Sequence, residues 1–189
     1  MRSSYRREDV TLLLKDITGL VDPQPASERE PLIQKGVHYS EMLPLEYRPT
    51  GPYMEAYQRA LDLYADSTAE AVAFAAQRIY GEKGPGLILV SLARAGIPAG
   101  ILIKHFMKET FDYDPPHYAI SIIRGRGIDH NALQYILSRH EPHALQFIDG
   151  WTGKGAIARE LASALAPYPG VSPNLAVLSD PANLTHRCV

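Results

Sequence analysis

The 189-residue sequence predicts an α/β domain whose core is a parallel sheet covered by helices. From residue 86 onward, short apolar segments alternate with amphipathic ones, as they do when strands are joined by helical crossovers. Glycine, arginine and aspartate follow several of the apolar segments, at the positions where a parallel sheet commonly binds its ligand. We therefore expect the functional residues beyond the carboxyl ends of the strands.

The N-terminal segment shows no long periodicity. A short helix is predicted over residues 9–17, and prolines then interrupt any longer helical pattern. These prolines are Pro23, Pro25, Pro31, Pro44, Pro49 and Pro52. We expect residues 1–52 to form an arm or hood and residues 53–189 to form the core of one compact domain, because the chain is short for two independent cores.

Two helices are expected before the first core strand. Apolar residues recur with helical spacing over residues 53–64. Ser67 lies three positions before Glu70, which is the capping-box spacing in which both side chains bond to exposed backbone amides. This spacing predicts a new helix over residues 68–80. Gly81 is expected to end it.

The core then alternates strands with helices. Strands are predicted over residues 86–92, 117–123, 144–149 and 174–178. Helices are predicted over residues 97–111, 131–139 and 152–165, and Asp129 is the expected N-cap of the middle one. The functional residues should then lie in the loops 91–96, 124–130, 149–155 and 179–183.

The composition excludes several classes of protein. A net charge of -2 and a pI near 6.4 give no excess of positive potential for a nucleic acid or an anionic membrane. Cys188 is the only cysteine, so the chain can form neither an internal disulfide nor a cysteine-rich zinc site. No apolar stretch approaches the roughly 18 residues of a membrane span, and the N-terminus lacks a signal peptide. We expect a cytoplasmic protein that binds neither nucleic acid nor membrane.

The segment FIDGWTGKG, residues 147–155, combines a strand that ends in Asp149 with a glycine-rich turn that opens a helix. Such a turn directs backbone N–H groups and the positive end of the helix at one point, and its glycines allow a phosphate to approach closely. Thr152 adds a hydroxyl and Lys154 a positive charge. The spacing is not that of a Walker A loop. Considered alone, the segment could also be a simple turn between a strand and a helix.

The segment SLARAGIPAG, which begins at Ser91, also follows an apolar strand and precedes a helix. Its Arg94 could hold phosphate oxygens through two parallel N–H bonds. The alternative is a surface arginine in an ordinary connection. That alternative is less convincing for two such loops together, because both are expected at the same edge of one sheet.

These segments resemble a known family. SLARAGIP resembles the pyrophosphate-binding loop of the type I phosphoribosyltransferases (PRTases), and QFIDGWTGKGAI resembles their signature for phosphoribosyl diphosphate (PRPP). Together with HYSEMLP at His38 and HYAISIIRGRGID at His117, nearly the whole chain resembles the PRTase-like proteins of bacterial tellurite-resistance and stress clusters. Some of these are labelled cysteine protease StiP. The resemblance implies a PRTase-like, Rossmann-like core with an N-terminal hood, in a native chain that continues beyond Val189.

The resemblance assigns the two phosphate groups of PRPP to the two loops. It implies that the diphosphate is bound, through an unusual backbone at the turn, by Ala93, Arg94 and Ala95. It implies that the 5-phosphate is bound by Thr152, Gly153, Lys154 and Gly155.

Catalytic and acceptor-side roles follow from the same resemblance. Asp149 would contact the ribose hydroxyls and, through water, a Mg²⁺ ion. Arg124 and Arg126 would lie in a mobile loop that closes over the leaving pyrophosphate, although a solvated basic turn is an equal alternative. The acceptor would face residues of the last loop and of the hood, namely Asp180, His38 and Glu41.

One departure from the family signature bears on activity. Gly150 stands where the family has a second acid, so Asp149 must serve alone or receive help from a residue such as Asp129. The preferred hypothesis is Mg²⁺-assisted transfer of a 5-phosphoribosyl group from PRPP to a base-like nitrogenous acceptor. The missing acid favours an alternative, a non-catalytic regulator that binds PRPP or a nucleotide. A cysteine peptidase that uses Cys188 is the third hypothesis, and a homodimer is left open.

Overall fold

The computed structural model describes residues 3–185 and the backbone of residues 187 and 188. In chain order the strands are β1 (Thr11–Leu12), β2 (Pro23–Gln24), β3 (Leu43–Pro44), β4 (Ile88–Ala93), β5 (His117–Ile123), β6 (Gly127–Ile128), β7 (Leu145–Asp149), β8 (Leu175–Val177) and β9 (Arg187–Cys188). The helices are α1 (Ala26–Gln34), α2 (Gly51–Lys83), α3 (Gly96–Phe111), α4 (His130–Leu137) and α5 (Ala156–Leu165). None of the helices in this described part is long and apolar enough to cross a membrane.

The chain divides into two compact units. The first unit consists of residues 15–65, and the second of the residues before 15 and after 65. The first unit contains α1 and a short parallel pairing of β2 with β3. It is more regular than its prolines indicated, because α1 accommodates Pro31 within its length.

The helix predicted over residues 9–17 is wrong. Part of this segment forms β1, which pairs in parallel with β5 and places Thr11 opposite Tyr118. Val10 is buried beside it. The apolar side chains of the segment therefore extend the sheet, and a pairing between residues so far apart in sequence leaves no local signal.

A single helix, α2, replaces the two helices predicted over residues 53–80. The capping-box assignment at Ser67 is wrong, because no proline or glycine separates Pro52 from Gly81 and nothing interrupts the helix. The helix also continues past Gly81 to Lys83. It ends where Gly84 adopts a left-handed conformation with φ of 68° and donates its amide to the carbonyl of Tyr80.

The second unit is built on a mostly parallel sheet, which confirms the predicted class of fold, but the sheet has seven strands where four were predicted. The strand order is β1-β5-β4-β7-β8-β9, and the short β6 pairs antiparallel with the end of β5. The strands β6 and β9 were not predicted. At two residues each, they are too short to produce an alternating pattern.

Helices cover both faces of the sheet. On one face, α2 and α3 pack Ile79 and Ile103 against Leu89 of β4. On the other face, α4 and α5 contribute Leu133 and Leu161 to a cluster with Phe147, Val90, Val177 and other strand residues. Because the strands are buried on both sides, their sequences are continuously apolar rather than alternating.

This arrangement creates a switch point between the neighbouring strands β4 and β7. The chain leaves β4 toward α3 on one face of the sheet and leaves β7 toward α5 on the other face. The loops after these two strands therefore lead to opposite faces of the sheet. Open parallel sheets usually bind their ligands in a crevice at such a point, beyond the carboxyl ends of the strands. In this protein, the name crevice denotes the region of this edge that the two loops border.

Candidate functional site

The loops after β4 and β7 touch through their backbones. A Cβ atom at Gly96 would collide with the carbonyl of Ile148, and a Cβ atom at Gly150 would lie 3.0 Å from the carbonyl oxygen of Ala95. Glycine is therefore required at residue 96, and a side chain at residue 150 would push the two loops slightly apart. The Arg94 loop and the Asp149 loop, predicted to share one edge of the sheet, lie against each other.

The Arg94 loop is short. The peptide bond between Ala93 and Arg94 is cis. The amide of Ile97 donates to the carbonyl of Arg94 at 3.1 Å as α3 begins. Ser91, which is completely buried beneath the loop, has its Oγ 2.8 Å from the carbonyl oxygen of Gly96. The loop is thus held from below by a buried hydroxyl.

Ser91 belongs to a buried hydrogen-bonded chain. Its Oγ also lies 2.7 Å from Nε2 of His117, whose Nδ1 lies 2.8 Å from the carbonyl oxygen of Asp9. A carbonyl can only accept, so Nδ1 carries the hydrogen and donates it. Burial lowers the pKa of His117 to about 4, so that the imidazole is neutral at pH 7 and Nε2 is an acceptor. The single hydroxyl proton of Ser91 is therefore shared between Nε2 and the carbonyl of Gly96.

Sequence reasoning missed this chain of residues. The available signal was a polar residue within each of two apolar strands, Ser91 in β4 and His117 at the start of β5. Both side chains are buried. Buried polar side chains nearly always have a hydrogen-bond partner, so each of the two indicates the other. A serine beside a histidine suggests a hydrolytic pair, but the burial of both excludes access by a substrate in this conformation.

Asp149 ends β7 at the floor of the crevice. One carboxylate oxygen accepts the amide of Gly150 at 2.8 Å. Burial raises the pKa of Asp149, and this hydrogen bond only partly opposes the effect. Asp129, the residue considered as a helper acid, is engaged elsewhere, because its Oδ1 caps α4 by accepting the amide of Ala132 at 3.0 Å.

The phosphate-type loop follows Asp149. Thr152 is buried, and its amide donates to the carbonyl of Ser179 at 3.0 Å, which ties the loop to the connection after β8. The predicted start of the helix at Thr152 is wrong, because Gly155 adopts a left-handed φ of 67° and α5 begins only after it. Within the described residues, the amides of Gly153, Lys154 and Gly155 donate no hydrogen bond. These donors and the N-terminus of α5 can receive an anion.

Trp151 was not assigned a role from the sequence. Its side chain is 61% exposed. A Cβ atom at Gly153 would lie 3.0 Å from Cζ3 of the indole, so the ring rests against the backbone of the loop. An exposed tryptophan therefore lies beside the amides of residues 153–155.

Arg124 and Arg126 lie in a tight turn between β5 and β6. The amide of Arg126 donates to the carbonyl of Ile123 at 2.9 Å. The two carboxylate oxygens of Glu160 on α5 each accept one amide, from Gly125 and from Gly127, at 2.8 Å. The turn is clamped to α5 in this conformation, which differs from the open, mobile loop that the resemblance implies.

The predicted acceptor-side residues are divided between the two units, and only Asp180 belongs to the second one. Burial would raise the pKa of Asp180, but bonds from the amides of Leu184, Thr185 and Ala182 lower it overall. Its carboxylate thus serves its own loop. His38 and Glu41 belong to the first unit, residues 15–65, and their acceptor role stays a prediction.

The residues of the crevice fit a magnesium ion only if the substrate supplies most of its ligands. Over residues 3–185, no group of three His, Cys, Asp or Glu side chains could hold a metal. Mg²⁺ is commonly bound by one carboxylate, water and substrate phosphates, which matches a single acid at the end of β7. Asp149 is the residue that would contact such an ion.

The backbone of Cys188 belongs to the central sheet. Strand β9 pairs with β8 and places the backbone of Cys188 opposite Val177, which in turn lies opposite Asp149 of β7. The three residues form one row across adjacent strands. Since neighbouring strands are about 4.8 Å apart, the backbones of Asp149 and Cys188 are roughly 10 Å apart. The neighbouring His186 lies outside the described residues.

Comparison with known proteins identifies related sequences. A family model described as "Tellurite-like stress resistance cysteine protease StiP" matches residues 3–189. A protein of Acinetobacter baylyi named "Cysteine protease StiP" is 42% identical over 181 residues, which cover 94% of this chain and 46% of that protein. The chain thus spans less than half the length of this relative.

Among solved structures, a Helicobacter pylori xanthine-guanine-hypoxanthine phosphoribosyltransferase is 15% identical, with a TM-score of 0.44. The match covers 64% of this chain and 78% of that protein. This likeness is too weak to support an assignment.

Proposed function

The chain belongs to the family described as tellurite-like stress resistance cysteine protease StiP, and we propose that its crevice binds PRPP with Mg²⁺ and transfers the 5-phosphoribosyl group to a nitrogenous acceptor. The observation that carries the proposal is the contact between the two loops at the switch point. The Arg94 loop and the loop of residues 150–155 meet through Gly150 and Ala95. They bring Arg94 and the amides of residues 153–155 to the edge of the sheet at which Asp149 ends β7.

The two sides of the crevice differ in the anion that they favour. The amides of Gly153, Lys154 and Gly155 at the start of α5 suit a terminal phosphate, because three oxygens can accept from several N–H groups at once. Arg94, in the loop after β4, suits a diphosphate, since its planar fork bridges adjacent oxygens. A ribose carrying a phosphate at one end and a diphosphate at the other fits this asymmetry.

The reaction breaks the bond between C1 of the ribose and the diphosphate oxygen, which keeps the bonding electron pair. A bond forms between C1 and a nitrogen of the acceptor, and that nitrogen releases a proton to solvent. Arg94 would stabilise the charge that grows on the leaving diphosphate, and Asp149 would orient the ribose hydroxyls. A magnesium ion carried by the diphosphate would supply further positive charge at the leaving group.

The test is calorimetric titration with PRPP and Mg²⁺, followed by measurement of pyrophosphate release with a panel of nitrogenous bases. We expect PRPP to bind more tightly than ribose 5-phosphate, because only PRPP carries the diphosphate. Arg94→Ala should weaken PRPP binding about tenfold to hundredfold and leave ribose 5-phosphate binding unchanged. Arg139→Ala, at the opposite edge of the sheet, is the matched control.

Two outcomes would contradict parts of the proposal. Failure of millimolar PRPP to bind would exclude the crevice as a PRPP site. Binding without pyrophosphate release from any base would favour a non-catalytic regulator that senses PRPP or a nucleotide. The single acid at Asp149 is the feature that favours this regulator.

A cysteine peptidase is the second candidate. It is favoured by the family description and by the position of Cys188, the only cysteine of the chain, in the same row as Asp149. The relative named as a protease is more than twice as long as the matched region, so the complete activity could require residues beyond this chain. The thiolate of Cys188 would be the nucleophile.

The two candidates are separated by one pair of variants. Cys188→Ser should abolish cleavage of a casein or peptide-library substrate if the peptidase assignment is correct, and should leave PRPP binding unchanged. Asp149→Asn should weaken PRPP binding. The phosphoribosyl assignment would be contradicted if Cys188→Ser lost cleavage while both variants bound PRPP normally.

A further inference from the structure

We propose that the indole of Trp151 stacks on the planar heteroaromatic ring of a ligand whose phosphate is bound by residues 152–155. This inference rests on the proposed function and names the acceptor class, a purine or pyrimidine ring. It also moves the acceptor side from the loop of Asp180 and from the first unit to the loop after β7. Trp151 is then a specificity-determining residue.

The first support is the way the indole is held. Trp151 is the only tryptophan of the chain, and 61% of its surface is exposed. Exposure alone would mean little, but the ring also rests on the backbone of Gly153, where a Cβ atom would be 3.0 Å from Cζ3. The indole contacts its own loop along one edge and leaves the rest of the ring in solvent. A ring with such a contact loses less side-chain freedom when a ligand covers it than a fully solvated ring would.

The second support is the position of the ring relative to the phosphate donors. Trp151 directly precedes Thr152 and the free amides of residues 153–155. In a nucleoside monophosphate, one ribose separates the phosphate from the base, so both ends of the ligand would reach the same short loop. Gly150, on the other side of Trp151, contacts Ala95 of the Arg94 loop. In sequence, Trp151 therefore lies between the residue that contacts the Arg94 loop and the residues proposed to bind the phosphate.

The third support is the state of the competing residue. An acceptor base could have been recognised by Asp180, but that carboxylate already accepts the amide of Thr185. Its Oδ1 is buried without a hydrogen-bond partner among the described residues, so this atom is not accessible to an acceptor. Trp151 provides the exposed aromatic surface that base recognition commonly uses.

The test uses intrinsic fluorescence excited at the red edge of the tryptophan absorption, where the 11 tyrosines do not absorb and Trp151, the only tryptophan, is the emitter. AMP and UMP should quench the emission and protect it from acrylamide. Ribose 5-phosphate should bind, as measured by calorimetry, without protecting the indole. Adenosine, which lacks the phosphate, should protect only at much higher concentration.

Variants test the energetic role. Trp151→Ala should weaken AMP binding about fivefold to hundredfold, the usual range for loss of one base-stacking contact, and should leave ribose 5-phosphate binding unchanged. Trp151→Phe should retain most of the AMP affinity, because a phenyl ring also stacks. The unchanged ribose 5-phosphate affinity shows that the loop is still folded.

The outcomes separate this inference from the function on which it rests. Equal loss of AMP and ribose 5-phosphate binding in Trp151→Ala would overturn the stacking role and assign Trp151 to support of the loop. Ribose 5-phosphate and PRPP binding without any effect of AMP on the emission would overturn the inference and keep the proposed function. Protection by AMP without any PRPP binding would keep the stacking surface and overturn the transferase.

Discussion

At the scale of single residues, Asp149 combines a functional position with an unfavourable environment. Burial raises its pKa, so the folded protein holds a proton there more readily than the unfolded chain does. Its contribution to stability is complete below the ordinary pKa of 3.8 and is lost as the pH rises through the higher folded value. At neutral pH, the charged carboxylate therefore destabilises the fold.

We predict that Asp149→Asn raises the melting temperature at pH 7 and weakens PRPP binding about tenfold to hundredfold, because a neutral amide replaces a buried charge but loses a charge-assisted hydrogen bond. The gain in melting temperature should shrink as the pH is lowered toward 4. Thermal melts from pH 4 to 7 and calorimetry measure the two effects.

Asp180→Asn is the matched control and should lower the melting temperature at pH 7, since amides lower the pKa of Asp180. A lower melting temperature for Asp149→Asn would contradict the assigned cost of burial.

His117 predicts a pH dependence of the whole fold. Its pKa falls from 6.5 to about 4 on folding, so the unfolded chain binds an additional proton between these values. The contribution of the neutral His117 to stability is complete above pH 6.5. The free energy of unfolding should fall by up to about 3 kcal/mol as the pH decreases to 4. Urea denaturation at several pH values measures this slope.

His117→Gln removes the titrating group and should flatten that slope, while the exposed His143→Gln should leave it as in the unmodified protein. An equally steep slope in His117→Gln would assign the pH dependence to other groups. The variant also loses the imidazole that faces Ser91, so its stability at pH 7 should be lower.

At the scale of elements, the first turns of α3 depend on a glycine that helix propensity disfavours. A Cβ atom at Gly100 would collide with Oγ of Ser91 and approach Nε2 of His117. Gly81, in α2, has no atom within 4 Å of its would-be Cβ. Replacement of glycine by alanine should therefore destabilise the protein in α3 and stabilise it in α2.

We predict that Gly100→Ala destabilises the protein by about 1–3 kcal/mol, because the buried serine and histidine must move. Gly81→Ala should stabilise it by about 0.5–1 kcal/mol, because only the propensity term remains. The midpoints of urea denaturation give both values. Stabilisation by Gly100→Ala would show that the space around Ser91 is larger than described.

The clamp on the turn between β5 and β6 is a second element-scale feature. Glu160 accepts two amides with two oxygens, whereas a glutamine offers only one acceptor oxygen. Glu160→Gln should accelerate hydrogen exchange of the Gly125 or Gly127 amide by about tenfold or more. Glu160→Ala should accelerate exchange at both. Unchanged exchange in both variants would show that the turn is held by other contacts.

At the scale of the whole molecule, the sequence predicts the central architecture because the sheet is buried on both faces. Continuous apolar segments mark β4, β5, β7 and β8 without ambiguity, and the N-cap at Asp129 marks α4. The predicted helix boundaries were wrong where the same local sequence signal is compatible with two structures. The capping-box spacing of Ser67 also occurs inside a helix, and Gly155 delays α5 through a left-handed turn.

For the candidate site, the sequence predicts which loops meet but not what holds them. The carboxyl-edge rule places the Arg94 and Asp149 loops together without knowledge of any contact. The supports come from distant residues: Glu160 lies 35 positions from Gly125, and His117 lies 26 positions from Ser91. Pairings of this length follow from the packed fold rather than from spacing, which is why Glu160 and His117 were not assigned.

The pairing of β1 with β5 has a consequence for the order in which the protein folds during synthesis. The carbonyl of Asp9 and Nδ1 of His117 are separated by 108 positions, so the first strand has no partner until the ribosome has passed that point. Contacts between residues so far apart form slowly, because the intervening chain must first be closed into a loop. Until then, the apolar side chains around Val10 remain in water, accessible to chaperones. The amino terminus, although it is made first, is therefore expected to reach its native place among the last.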